Sequence, residues 1–373
     1  MATELLADDK ALREARRRRA LAEMEARDID VLVLGREANA RYVTGAQRLW
    51  TAGTRPFGPG CVVVRATGAV HLVSTWDAGV PEDIPHEHLF GITWNPGNLL
   101  AWLGGIDGVA QARRVGTDSL TPRFAKLLPK VFPSAELVDA EPALEAARRI
   151  KTLEEVEAIR ASTAVAETAL AAAVGGLRPG TTERHLTGVF MEAMARQGVT
   201  TPATQRAVRV AGPGDRSRGG TAAIGEGDLV VFDAGVVAGG YAAEVARTWP
   251  ASPAALDDTA IDLYRSAGEL WDRLIGACRP DTTGADLLGV YEAEGRPPPP
   301  FPIATGLGLG FDVPVVTRDL PATAARERLA PGMVLAVTAH AADGAGRAVV
   351  RKDAVLVTAE GPEVLSSSPH WRP

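Results

Sequence analysis

Residues 228–237 and 240–249 read as two long, largely apolar strands meeting at Gly239-Gly240, with Asp233 and Glu244 well inside them. Val, Phe, Tyr and Trp favour strands, and two such runs in succession suit an antiparallel pair. A carboxylate inside a strand needs a partner, because an uncompensated buried charge shifts its pKa or destabilises the fold. The two strands therefore suit an antiparallel pair whose carboxylates, if buried, call for a counter-ion.

The remaining segments supply two layers of context. Residues 8–27 are charged and rich in Ala and Leu, which suits a helix, and Asp30-Val-Leu-Val-Leu34 suits a buried strand ended by Gly35. Cys61–Val64 and Val70–Val73 flank a hairpin-like Ala-Thr-Gly, residues 121–130 are helical, and Glu136–Asp139 is a short strand. These make an α/β domain over residues 1–151. Residues 141–160 are helical, and Thr152 with Glu155 forms a capping box beside the boundary at Lys151.

Helices at 152–174 and 182–197 follow, then the central strands, a helix at 257–277, and strands at 332–339 and 348–358. That order suits an α+β domain of catalytic type over residues 152–373. The glycine-rich Thr305–Gly310 lacks the G-x-G-x-x-G spacing and no helix follows it, so backbone packing is expected there rather than a nucleotide.

Bulk properties exclude several classes. The formal charge of −6 argues against nucleic acid or an anionic membrane as the main partner. The basic run Arg16–Arg19 reads as a solvated helix face. Cys61 and Cys278 are the only cysteines, too few for a disulfide framework or a thiolate metal cluster. The first ten residues lack the order of a signal peptide, and no apolar run approaches the ~18 residues of a membrane helix, so a cytoplasmic location is expected.

The stretch Gly227–Gly235, continued through Gly239–Glu244 to Arg247 and Thr248, resembles the core hairpin of the creatinase, prolidase and aminopeptidase P family. Ile29–Val33 with Asn39–Gly45, Arg149–Lys151 followed by Glu154 and Glu155, Pro331–Val334 and Asp353–Thr358 resemble other segments of that family, in order, from about residue 10 to 365. The resemblance implies a pita-bread fold for the second domain, a homodimer, and a polar cleft for a small molecule.

The family's peptidases hold two divalent metals with two Asp, one His and two Glu, whose hard oxygens and imidazole activate a shared water. Carried over by motif, the first Asp is Asp233 and the second falls on Glu244. The His falls on Thr305, one Glu on Thr338 and the other on Lys352. The loop Gly212–Gly219 lacks the family's further His, and its His-Glu pair falls on Asp312 and Val313. Two hydroxyls are poor ligands and an ammonium stands where a cation would sit, so no metal and no cofactor are expected.

Lys352 is expected to pair with Asp233 and Glu244, either as a structural ion pair or as an acid–base unit. His340 shares a strand face with Thr338 and is either a general base or a hydrogen-bonded spectator. Arg247, Tyr241 and Asp312, with Thr305 and Thr338, are candidates for substrate contact, Arg247 bracing the carboxylates or receiving a substrate carboxylate. Trp50, Arg55 and Trp76 either pack loops or reach a partner subunit's cleft. The expected function is a metal-independent enzyme acting on a small carboxylate- or amide-bearing metabolite by hydrolysis, elimination or cyclisation. A non-catalytic homologue that binds a ligand or partner and an Xaa-Pro metallopeptidase are the alternatives.

Overall fold

The computed structural model describes residues 10–46, 59–75, 77–91, 93, 95–118, 121–204, 206–212, 220–295, 297–319, 321 and 325–373. Trp50, Arg55, Trp76 and residues 213–219 of the glycine-containing loop lie outside these. Two compact units divide the chain, Asp8–Arg148 and Arg149–Pro373.

The first unit runs α1 (Lys10–Ala26), β1 (Val31–Leu34), α2 (Glu37–Thr44), β2 (Cys61–Val64), β3 (Val70–Val73), β4 (Leu89–Phe90), α3 (Pro96–Gly104), β5 (Arg114–Thr117), α4 (Pro122–Leu127), β6 (Glu136–Asp139) and α5 (Glu141–Arg149). Its six-stranded sheet has the order β4-β3-β2-β1-β5-β6. β1 is antiparallel to β2 and parallel to β5, and every residue of β1 and β2 is buried. Arg16 and Arg17 do not form the solvated face read from the sequence. Arg16 is 3% exposed with its guanidinium 5.9 Å from the Tyr42 ring centroid, and Arg17 reaches Asp83 at 2.9 Å. Their apolar stems pack while their heads find a ring or a carboxylate.

The second unit runs α6 (Leu153–Gly175), α7 (Glu183–Arg196), β7 (Val208–Ala211), β8 (Leu229–Ala238), β9 (Tyr241–Pro250), α8 (Asp258–Ala277), α9 (Gly284–Ala293), β10 (Ala304–Gly308), β11 (Gly310–Val316), β12 (Val334–Ala342), β13 (Ala348–Val357) and β14 (Pro362–Val364). The helical run at 141–160 is broken after α5, because the Lys151 N–H donates to Gly332 O at 2.8 Å instead of to a helical carbonyl. α6 then starts at the Thr152/Glu155 capping box.

The eight-stranded sheet has the order β11-β10-β12-β13-β9-β8-β7, with β14 on β13. Alternate residues of β8, Val230, Phe232, Ala234 and Val236, pack with Val165, Leu170, Leu186 and Phe190 of α6 and α7. Leu335, Val337, Val355 and Val357 do the same with Leu270 and Leu274 of α8 and Tyr291 of α9. These residues put one face of the sheet against helices, while on the other face Leu229, Val231, Ala246 and Val350 belong to a buried cluster with Leu263 and Tyr264 of α8.

The glycine-rich segment forms the β10–β11 hairpin. A Cβ at Gly306 would lie 2.5 Å from Val313 O and 2.7 Å from Asp312 O, so close backbone approach accounts for the glycine.

Candidate active site

Strand register assembles the site. Asp233 lies opposite Ala246 and Gly235 opposite Glu244 between β8 and β9. Ala246 faces Lys352 of β13, Lys352 faces Thr338 of β12, and Ala336 of β12 faces Thr305 of β10. Opposed residues, and residues two apart on a strand, share a face. Asp233, Glu244, Lys352, Thr338 and Thr305 therefore lie on one face, across five strands, opposite the face that carries Val230, Phe232, Leu335 and Val337.

Lys352 Nζ donates to Asp233 Oδ1 at 3.0 Å and to Glu244 Oε2 at 3.1 Å. The three side chains are 12%, 26% and 15% exposed for Lys352, Asp233 and Glu244, which leaves little water to screen them. Burial alone would lower the lysine's pKa, but the charges of Asp233 and then Glu244 outweigh it and hold the ammonium above its ordinary value. Its three donors make Lys352 a compact cation between two anions.

His340 continues the same face two residues beyond Thr338, opposite Val350. Its ring meets Phe301 edge-on at 5.2 Å between centroids. Burial first, and the charge of Arg209 second, lower its pKa to about 4, so the imidazole is neutral at pH 7. Arg209 belongs to β7 and lies opposite Val231, two residues before Asp233 and therefore on the same face. Four strand spacings of about 4.8 Å would separate β7 from β12 by about 19 Å in a flat sheet. The sheet is curled, since β11 approaches β9 although three strands stand between them in the sheet order.

Arg209 escaped the sequence reading. Its signal was a lone charged residue in an otherwise buried strand, Val208-Arg-Val-Ala211.

Three candidates read from the sequence are placed elsewhere. Arg247 stands three residues from Glu244, so strand alternation turns it to the helix-covered face. There it is 2% exposed and donates to Asp353 Oδ1 at 2.6 Å, Lys352 O at 2.8 Å and Ser368 O at 3.0 Å, so it does not brace Asp233 or Glu244. Tyr241, by the same parity, is 1% exposed and donates to Glu155 Oε1 at 3.1 Å. Asp312 is 5% exposed and engaged by Lys151 Nζ at 3.2 Å. None of the three faces the Lys352 cluster.

Residues 157–359 match metallopeptidase family M24, and residues 16–150 match the creatinase/prolidase N-terminal domain. The chain belongs to metallopeptidase family M24. A Bacillus subtilis (strain 168) protein named "Putative dipeptidase YkvY" is 26% identical over 205 residues, 53% of this chain and 56% of that one. The match thus spans about half the length of that relative. In fold, this M24 chain is similar to the prolidase of Pyrococcus horikoshii OT3 (TM-score 0.75, 19% identity, 95% of this chain and 99% of that one). It is also similar to the Xaa-Pro dipeptidase of Bacillus anthracis (TM-score 0.76, 18% identity, 96% of this chain and 99% of that one).

The donor set of this M24 chain does not fit the metals the family name implies. Both carboxylates already receive hydrogen bonds from an ammonium, and Thr305 and Thr338 offer neutral hydroxyls. Among the described residues no group of three or more His, Cys, Asp or Glu is placed to hold a metal ion. Among them, too, no helix is long and apolar enough to cross a membrane.

Proposed function

We propose that this M24 chain is a metal-independent enzyme acting on a small carboxylate- or amide-bearing metabolite by acid–base chemistry in a cleft on the sheet face that carries Lys352, Asp233 and Glu244. The observation that carries the proposal is the Lys352 ammonium held at 3.0 and 3.1 Å from Asp233 and Glu244. A carboxylate there accepts a proton from water or from the substrate. Neutralising that carboxylate removes one of the two charges that hold the lysine's pKa up, so Lys352 becomes a better donor to the leaving or developing anion. Proton uptake and proton release are thereby linked within one cluster. Thr305 and Thr338 supply neutral hydroxyls beside it, and His340, uncharged at neutral pH, is a further proton acceptor. Membership of a peptidase family supports an amide as the reacting group.

The resemblance to family dimers supports a homodimer, which light scattering checks through the mass in solution. Elemental analysis of purified protein tests the metal-free reading. Well under one equivalent of Mn, Co or Zn is expected, with melting temperature unchanged by EDTA. Two equivalents per chain would restore the Xaa-Pro metallopeptidase reading. A panel of small amides, N-acetylglycine first, then tests turnover, which Lys352→Ala and Glu244→Gln should lower by about 10²–10⁴-fold. The low exposure of the cluster also suits a purely structural ion pair in a non-catalytic homologue. Folded variants with turnover and ligand affinity unchanged from the parent would favour that second reading.

A further inference from the structure

We infer that a cavity walled by Tyr264, Arg351, His370 and Trp371 is a binding site for one small monovalent anion, halide-like in size. None of Lys352, Asp233 and Glu244 lines it, and the inference stands independently of the function proposed above.

Size limits the occupant. The cavity measures about 30 Å³. A single water needs about 10–15 Å³, so one or two water-sized groups fit and a metabolite does not. Tyr264 enters from α8, Arg247 from β9 and Arg351 from β13, while His370 and Trp371 come from the residues after β14. The Tyr264 and Trp371 rings pack with centroids 4.5 Å apart. The rest of the wall carries no charge.

The polar groups left over at this wall are donors. Tyr264 is 7% exposed, and its buried hydroxyl has no partner among the described residues. Burial raises its pKa, so it stays protonated at pH 7 and lacks an acceptor. Arg247 spends its five N–H groups on Ala246 O, Lys352 O, Asp353 Oδ1 and, twice, Ser368 O. Arg351 keeps some in reserve. Its Nε donates to Asp353 Oδ2 at 3.1 Å and its Nη1 lies 3.4 Å from His370 Nε2, while its Nη2 has no hydrogen-bond partner among the described residues. The guanidinium is held over the Trp271 ring, 3.3 Å from its centroid. His370 Nε2 also accepts from Arg372 Nε at 2.9 Å, which leaves the ring hydrogen on Nδ1. Burial first, and then the charges of Arg351, Arg372 and Arg247, lower the His370 pKa to about 4, so the ring is a neutral donor at pH 7.

Charge selects the occupant. Arg247 and Arg351 grip the two oxygens of one buried carboxylate, Asp353. Two cations on one anion leave an excess of one positive charge, and the exposed Arg372 adds to it. Burial lowers the Arg351 pKa even though Asp353 and the exposed Asp272 act to raise it, as expected for a cation short of counter-charge. A single negative charge restores the balance. Water would satisfy the donors but leave the charge uncompensated. A phosphate dianion overfills the cavity and overshoots the charge, whereas a halide matches both.

Thermal unfolding of the full chain, exchanged into halide-free gluconate buffer, tests the site. Sodium bromide at constant ionic strength should raise the midpoint saturably in the millimolar range, and gluconate should not. A bromide-soaked crystal should show an anomalous peak within hydrogen-bond distance of Tyr264 Oη and Arg351 Nη2. Tyr264→Phe removes only the hydroxyl and should raise the half-saturating bromide concentration about tenfold. Arg351→Gln removes the excess charge and should abolish the response. Where Arg351→Gln fails to fold, Tyr264→Phe and the crystal still decide.

Equal midpoints in bromide and gluconate, no bromide peak in the cavity, or unchanged half-saturation in a folded Tyr264→Phe each overturn the inference. Inorganic phosphate acting at lower concentration than bromide overturns it as well. None of these readouts depends on turnover, so the anion site and the proposed function fail separately.

Discussion

At the scale of single residues, Lys352 decides the electrostatics of the face that carries Asp233 and Glu244. Its folded pKa lies above the ordinary value of 10.5, so its stabilisation is fully present below pH 10.5 and is lost only as pH rises through the folded value. Lys352→Met keeps most of the volume and removes the charge, leaving Asp233 and Glu244 facing each other. Breaking a buried pair costs about 3–5 kcal/mol, and the partial exposure of Asp233 argues for about 2–3 here. Urea unfolding at pH 7 measures that loss. The double variant Lys352→Met/Glu244→Gln should regain most of it, since the repulsion rather than the lost bond dominates. His340 acts with the opposite pH sense. Its pKa falls from 6.5 to about 4 on folding, so the unfolded chain binds the extra proton between those values and stability drops as pH falls from 6.5 toward 4. His71 and His370, also lowered to about 4, add to the same limb. His340→Gln should flatten the decline by about 1–2 kcal/mol between pH 7 and 4.5, read from urea midpoints.

At the scale of elements, the β10–β11 hairpin shows how tightly backbone geometry constrains side-chain choice. Gly306→Ala places a methyl within 2.5 Å of Val313 O and 2.7 Å of Asp312 O, and neither carbonyl belongs to a movable side chain. Strain of this kind costs about 1–3 kcal/mol, and thermal unfolding should show it as a lowered midpoint. The elements legible in the sequence were those with strong local signals. The Thr152 capping box and the long strands at 229–238 and 241–250 fall within a residue or two of expectation. α2, α3 and α9 went unread because they are short and carry Gly, Asn or β-branched residues where periodicity would show. α9 has its own capping box, with Asp286 in place of the longer Glu or Gln. Within the site, motif spacing located Asp233, Glu244, Thr305, Thr338 and Lys352 on strands. It misplaced Arg247 and Tyr241, because closeness to Glu244 in sequence hides the parity that sends odd offsets to the opposite face. Arg209 carried a local signal as the lone charge in its strand, but its place beside Asp233 follows from pairing across β7 and β8, a register no single segment encodes.

At the scale of the whole molecule, the face that carries Lys352 depends on the face behind it. Arg247 donates to the carbonyl of Lys352 itself at 2.8 Å and to Asp353 at 2.6 Å. The chain end completes this arrangement. Ser366 Oγ donates to Asp353 Oδ1 at 2.6 Å, Ser368 O accepts from Arg247, and the Ser367 N–H reaches Glu167 Oε1 at 2.5 Å. Trp371 packs on Tyr264 with ring centroids 4.5 Å apart, while Arg351 stacks on Trp271 at 3.3 Å and reaches the other oxygen of Asp353 at 3.1 Å. Burial pushes the Asp353 carboxyl up, but Arg247, Ser366 and Arg351 together hold it below its ordinary value. Its stabilisation is therefore present above about pH 4 and lost as pH falls through the folded pKa. Removing residues 366–373 takes away the serine hydroxyl and the carbonyl that orient Arg247, leaving two arginines on one aspartate. The truncated chain should lose about 2–4 kcal/mol at pH 7, since a buried charged network is left partly unsatisfied. It should also lose part of the acid limb that Asp353 supplies, and urea unfolding at pH 7 and pH 3.5 reads both. If Arg247 sets the backbone from which Lys352 projects, the same truncation weakens N-acetylglycine binding although no removed residue faces the ligand. Unchanged stability and unchanged binding would show that the helix-side network is dispensable to the site.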